Sequence, residues 1–325
     1  MRKAVFTLMM ICLTVANAAD KFVMFTKEGA SLAIAKDGKV LDIISDINDY
    51  EGVRMALNNL QNDFRLVCGT APAIGQQLQN ECIIIGSMQT KLIQSLVNSG
   101  KLNKKELEGK REKYLLQVID QPMTGVSRAL VIAGSDKRGT IYGIYELSRQ
   151  MGVSPWYWFA DVPVVHYQHI FELMLRLKAN YMWPAMWGSA FYDDDPENGV
   201  LADKMGIVMG TSHHEPMALA QQDWKRRKNH GKWSFTNNHN EMMDFWRGGV
   251  ERSKNWETMY TVGMRGDGDE AMEDKASVEL MEQIVKEQRE LLSKVTGKKA
   301  VDVPQVWALY KEVQDFYDQG MKVPD

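Results

Sequence analysis

Apolar positions recur along the chain with two periods, and changes from one to the other mark most of the predicted elements. Lys21-Phe-Val-Met-Phe25 and Ser31-Leu-Ala-Ile-Ala35 flank Lys27-Glu-Gly29 and read as a hairpin. Val53, Ala56, Leu57 and Leu60 then fall at i, i+3, i+4 and i+7, one face of an amphipathic helix. Strand-like runs follow at Phe64–Cys68, Cys82–Ile85, Tyr114–Ile119 and Ala129–Ala133. After Gly134-Ser-Asp-Lys-Arg-Gly139 a helix carries Ile141, Ile144, Tyr145 and Ser148 and ends near Gly152. This alternation predicts a small N-terminal α/β sandwich over residues 19–160, with helices packed on a sheet. Glu146, on the last of these helices, reads by pattern alone as a solvated carboxylate.

A boundary is marked by Val153-Ser-Pro-Trp-Tyr-Trp-Phe-Ala-Asp-Val-Pro163, where aromatics cluster between two prolines. Such rings seal an interface or offer a flat face to a sugar, and Trp156 and Trp158 read as the former. Beyond it, Ile170, Leu173, Met174 and Leu177 form a helical face closed by Lys178-Ala-Asn180. Tyr181-Met-Trp-Pro-Ala-Met-Trp187 is an apolar, strand-like run. Ala202–Met205 reads as helix and Ile207–Met209 as strand, leading into Gly210-Thr-Ser-His-His-Glu-Pro216. A helix with Met243, Phe245 and Trp246 precedes Met259–Glu270. A long helix runs from Leu280 to Val295, supported by the Glu282–Lys286 and Glu290–Lys294 pairs. The last strand, Val303–Leu309, ends in Tyr310-Lys-Glu312.

Four strands therefore finish in polar clusters, at Trp183–Trp187, His213–Glu215, Arg265–Glu270 and Tyr310–Glu312. Strand-then-helix order with chemistry at each strand's far end is the pattern of a (β/α)8 TIM-type barrel, so residues 161–325 read as a partial one. An open half barrel leaves strand edges unpaired, which a second copy of the chain in a homodimer would cover.

Composition narrows the function. The chain has 325 residues, 45% hydrophobic and 25% charged, with a net charge of −3 that argues against a nucleic-acid surface. Arg2 and Lys3 precede an apolar run from Ala4 to Val15, and Ala16-Asn17-Ala18 fits a cleavage site, so residues 1–18 read as a signal peptide and the product as exported, periplasmic or extracellular. No later segment is apolar for long enough to span a membrane. Cys12 leaves with the signal, and Cys68 and Cys82 are open to two readings, a disulfide or two free thiols. His213-His214-Glu215 lacks the spacing and third histidine of a zinc site, so neither a metal nor another cofactor is expected. Lys225-Arg-Arg-Lys228 reads as a solvated helix face.

The chemistry gathers at the strand ends. Asp267, Asp269, Glu270, Glu312 and Glu215, with Arg265, Lys311, His213, His214 and Tyr310, would face one mouth. Glycoside hydrolysis needs one protonated and one ionised carboxyl group about the scissile bond, and a guanidinium suits the carboxylate of an acidic sugar.

Lys137-Arg-Gly-Thr-Ile-Tyr-Gly143 with Tyr145-Glu-Leu-Ser148, the tryptophan-rich Gly152–Pro163, Leu177–Trp187, Gly210–Met217 and Tyr260–Met272 together resemble glycoside hydrolase family 115, the xylan α-1,2-glucuronidases. The resemblance implies an inverting, exo-acting enzyme that removes glucuronic acid or its 4-O-methyl form from glucuronoxylan or its oligosaccharides. It implies active-site carboxylates at Asp269 and Glu312, with acid and base roles open between them, and pocket residues at Arg265, Tyr310 and Glu146, while Asp267 reads as substrate-binding from its place in the strand-end cluster. His213, His214, Glu215 and Trp187 would be pocket walls. Two departures stand out: Val164-Val165-His166 joins directly where the family carries a first barrel strand with an acidic end, and the family continues well past Asp325. A second reading is therefore a carbohydrate-binding remnant that kept the pocket without the turnover.

Overall fold

A computed structural model of the chain describes residues 22–26, 31–159, 167–184, 188–228, 230–272, 277–322 and 324. Two compact units emerge, Met1–Asp49 with Ala56–Tyr157 and Tyr50–Met55 with Trp158–Asp325.

The first unit opens with β1 (Ala35–Lys36) and β2 (Lys39–Val40), an antiparallel pair about Asp37 and Gly38. This hairpin lies C-terminal to the one predicted. Residues 27–30, its expected turn, lie outside the described residues, and 22–26 form no strand. The elements β3 (Ile43–Ile44), α1 (Glu51–Cys68, of which the part from Ala56 belongs to this unit), β4 (Ile74–Gly75), β5 (Glu81–Ser87), α2 (Lys91–Asn98), β6 (Tyr114–Met123), β7 (Val126–Gly134) and α3 (Lys137–Gln150) follow. The sheet runs β4-β3-β5-β7-β6, parallel throughout except for β6 against β7. Its centre pairs Ile83 with Leu130 and Ile84 with Val131, all buried, as expected where an unbroken apolar run makes a strand covered on both faces. Thr90 and Asp136 cap α2 and α3, their side chains accepting from the amides of Ile93 and Gly139.

Phe64–Cys68 corrects the sequence reading: it is the last turn of α1, not a strand. Phe64 continues the buried face of Ala56, Leu57 and Leu60, while Leu66 and Val67 are exposed, so the helical period runs through residues whose types favour strands. Cys68 and Cys82 are both free, and burial pushes both thiols up. Glu146 is another correction. It is buried on α3, and its carboxylate accepts from Arg149 at 2.5 Å and from Gln150 at 3.2 Å.

The second unit contains α4 (Tyr167–Arg176), β8 (Tyr181–Met182), α5 (Phe191–Asp194), α6 (Glu197–Met205), β9 (Val208–Met209), α7 (Gln221–Arg226), α8 (His239–Ser253), β10 (Tyr260–Thr261), α9 (Val278–Thr296), β11 (Gln305–Val306) and α10 (Glu312–Asp318). β8 pairs with β9 and β10 with β11, both parallel, and a parallel bridge from Met209 to Thr258 links the two pairs. Every strand here is two residues long, shorter than its apolar run predicted, so what the structure establishes is a mixed α/β architecture. Among the described residues no helix is long and apolar enough to cross a membrane.

One buried amide fixes the end of β10. Gln288 of α9 accepts from the Gly263 amide at 2.7 Å and donates to the Gly263 carbonyl at 2.9 Å. Gly263 has φ +89°, and a Cβ there would lie 2.6 Å from the Trp307 indole nitrogen. Gly263→Ala should therefore combine backbone strain with overpacking and destabilise the fold by about 2–4 kcal/mol, read as a lower urea midpoint; an unchanged midpoint would contradict this account of the β10 end.

Candidate active site

The site grows from the segment after β10. Met264 and Arg265 leave the strand buried, and the chain then turns through Gly266–Glu270. Gln221, at the start of α7, pins this turn, its side chain donating to Gly266 O and accepting from Gly268 N, both at 2.9 Å. The Trp233 indole donates to Arg265 O at 2.7 Å. Asp269 and Lys311, both non-glycine, sit at positive φ, 67° and 50°. Such backbone is sparsely populated and persists where surrounding contacts over-determine it.

Those contacts converge on one guanidinium. Arg265, 2% exposed, donates from Nη1 to Asp269 Oδ1 at 2.5 Å. It also donates from Nε and Nη2 to the two oxygens of Glu312, at 3.2 and 2.8 Å, and from Nη2 to Glu270 O at 3.0 Å. Glu312 is the first residue of α10, so the two carboxylates come from separate strand-to-helix connections. Asp269 has two further partners: His213 Nε2 lies 2.8 Å from the same Oδ1, and Lys311 Nζ donates to Oδ2 at 3.2 Å. Tyr310 closes the cluster, with its ring edge-on to His213 at 4.7 Å and under the Arg265 guanidinium at 5.3 Å.

The electrostatics follow from this crowding. Burial raises the Asp269 carboxyl, but His213, Lys311 and Arg265 outweigh it and hold the group below its ordinary value. Lys311 is raised, chiefly by its bond to Asp269. Glu215, 2% exposed, behaves oppositely, and burial pushes it up to about 7. Its carboxylate meets Ser212 Oγ at 3.0 Å and the Gln221 amide at 3.4 Å. His214 is buried beside it and lowered, first by burial and then by the neighbouring His213.

Of the residues singled out in the sequence, Asp269, Glu312, Arg265, His213 and Tyr310 share one cluster, and His214 and Glu215 stand behind it through Ser212. Asp267 points elsewhere, its half-exposed carboxylate on Lys225 at 3.0 Å. Glu146 belongs to the first unit, and Trp187 lies outside the described residues. Sequence reasoning passed over Ser212, Gln221, Trp233 and the clamping role of Gln288. Only Gln288 left a trace, as a polar residue on the apolar stripe of α9 between Ile284 and Leu291. Among the described residues no group of three or more His, Cys, Asp or Glu is arranged to hold a metal ion.

Comparison with known proteins gives the family. Glycosyl hydrolase family 115 matches residues 143–325, more than half of the chain. The chain belongs to this family. A solved family 115 structure, described as a novel 4-O-methyl-alpha-glucuronidase, BtGH115A, with specificity for decorated arabinogalactans, superposes with a TM-score of 0.74 at 30% identity over 87% of this chain. The chain spans 44% of that protein's length. A second solved structure, CpGH84D, matches at a TM-score of 0.31 and 9% identity over 79% of this chain and 55% of its own, too distant to bear on the argument. Among curated proteins none matches the chain.

Proposed function

We propose that the chain carries the uronic-acid site of a glycoside hydrolase that releases glucuronic acid, or its 4-O-methyl form, from a decorated plant polysaccharide such as glucuronoxylan, with inversion. The observation that carries this is the convergence of Asp269 and Glu312, from separate connections, on the buried Arg265, flanked by His213 and Lys311. Family membership and the likeness to a 4-O-methyl-alpha-glucuronidase support the same reading. The parallel neighbours β8 with β9 and β10 with β11, each pair separated by helix, fit an arc of a (β/α) barrel with these residues at the C-terminal ends of its strands.

The chemistry divides the carboxylates. Asp269, held below its ordinary value by its contacts to His213, Lys311 and Arg265, suits the base that activates water. Glu312, held by the same guanidinium, is the other carboxylate of the pair. An inverting pair stands about 6.5–9.5 Å apart, with water between its members. The amino-terminal pattern of residues 1–18 adds export to this proposal.

Incubating the full chain with glucuronoxylan, and separately with a glucuronate-decorated arabinogalactan, tests the reading by assaying free uronic acid. Release from either substrate supports a glucuronidase, and the preferred substrate identifies the polymer. Saturable binding of the oligosaccharides with no product would instead assign a carbohydrate-binding remnant.

A further inference from the structure

Behind the sugar-facing cluster lies a second line of titratable groups that the hydrolysis itself leaves unused. Glu215 Oε2 is 3.0 Å from Ser212 Oγ, and Ser212 Oγ is 3.2 Å from His214 Nε2. The ring of His214 meets His213 edge-on, with centroids 5.0 Å apart and planes at 84°. His213 in turn bonds to Asp269. Glu215 and His214 are 2% and 4% exposed, so water does not decide which atoms carry protons along this line.

We infer that Glu215, Ser212 and His214 form a buried proton relay in which the charge of Glu215 selects the tautomer of His214, the ring against which His213 is positioned. The hydroxyl forces the coupling, because its single hydrogen points one way at a time. When Glu215 is protonated, its O–H donates to Ser212 Oγ, the Ser212 O–H donates to His214 Nε2, and the ring proton sits on Nδ1. When Glu215 is ionised, it accepts from Ser212, and Ser212 accepts from a proton on His214 Nε2. The two states differ by one proton: Glu215 carries one in the first and none in the second, Ser212 keeps one throughout, and the His214 ring keeps one, moved from Nδ1 to Nε2. The balance is one proton lost, with no bond between heavy atoms changed.

The surroundings supply the bias. Gln221 of α7 donates its backbone amide to Glu215 Oε1, and the same residue's side chain pins the turn that bears Asp269. Asp223, also on α7, adds a like charge that raises Glu215 further, after burial. Asp223 itself accepts from the Ala220 amide, with Arg252 of α8 4.0 Å away. On the His214 side the charged neighbours are His213, Asp269 and Arg265. Thr211 Oγ1 holds the Glu215 carbonyl at 2.6 Å and Thr261 of β10 at 3.0 Å, which fixes the loop to the strand. Glu215, Ser212 and His214 are thus positioning residues for the site proposed above, and only the effect on turnover rests on that proposal.

Nitrogen-15 spectra of the histidine rings in the intact chain, recorded from about pH 6 to about pH 8.5, test the relay directly. The expected result is His214 passing from the Nδ1–H to the Nε2–H tautomer with a midpoint near the value of about 7 at which Glu215 titrates. Glu215→Gln should hold one tautomer across the range, and Ser212→Ala should uncouple the ring from Glu215. A wild-type ring that keeps one tautomer throughout, or a Glu215→Gln ring that exchanges with the wild-type midpoint, would overturn the relay. Melting curves give a second reading: the wild type should lose stability relative to Glu215→Gln as pH rises from the ordinary glutamate value toward 7, because the folded state holds the extra proton. That slope without the tautomer change would mean a merely structural carboxyl. With active protein, the limb of the kcat/KM profile near pH 7 should flatten in Glu215→Gln. With inactive protein, the glucuronidase proposal fails while the ring spectra still decide the relay.

Discussion

Asp269→Asn should lower uronic acid release by about 100- to 10,000-fold while binding of a uronic-acid oligosaccharide changes by only a few-fold. The asparagine keeps the size and one oxygen of the aspartate, so His213 and Arg265 retain an acceptor where Oδ1 stood. What is lost is the ionised oxygen able to take a proton from water. The contrast between turnover and binding makes the test sharp, because a residue that merely shapes the pocket would weaken both together. A variant that releases product at the wild-type rate would remove Asp269 from the mechanism and leave the cluster as a binding device.

Arg265→Met should destabilise the fold by about 3–5 kcal/mol at neutral pH, the cost of leaving partly buried carboxylates without their counter-charge. The variant also loses the contact to Glu270 O and the cation under which Tyr310 packs. The sign of the pH dependence is fixed by the Asp269 carboxyl, which is held down in the folded chain. A depressed carboxyl contributes stability above its unfolded value, about 3.9, and that contribution disappears as pH falls through the folded value. The melting gap between wild type and variant should therefore be widest near neutrality and narrow below about pH 4. Arg265→Lys should fall between the two, since one ammonium cannot reproduce a fork that meets two carboxylates at once. Equal melting of wild type and Arg265→Met across that range would show that the guanidinium does not hold the site together.

Much of the first unit was readable because its signals are local. The buried runs at Cys82–Ile85 and Ala129–Ala133 became the central strands β5 and β7, and the spacing of Ile141, Ile144 and Tyr145 marked α3. The misreading at Phe64–Cys68 has a plain cause, since a five-residue run rich in Phe, Leu and Val looks alike in a strand and in the last turn of a helix. In the second unit the apolar runs were visible, but only two residues of each pair as strands. Pairing length depends on neighbouring backbone, which no local pattern records.

The sequence by itself determined the chemical inventory: a guanidinium, several carboxylates and paired histidines at the ends of strand-like runs, in an order that resembles one hydrolase family. Tertiary structure alone decided which of them meet. Asp267 and Asp269 are two residues apart, yet one reaches out to Lys225 and the other in to Arg265, because Gly268 and the left-handed Asp269 turn the backbone between them. Glu215 and Asp269 are both carboxylates in one unit, yet burial raises the first, while His213, Lys311 and Arg265 lower the second. Charge state is a property of surroundings, and surroundings are assembled from residues far apart in the chain.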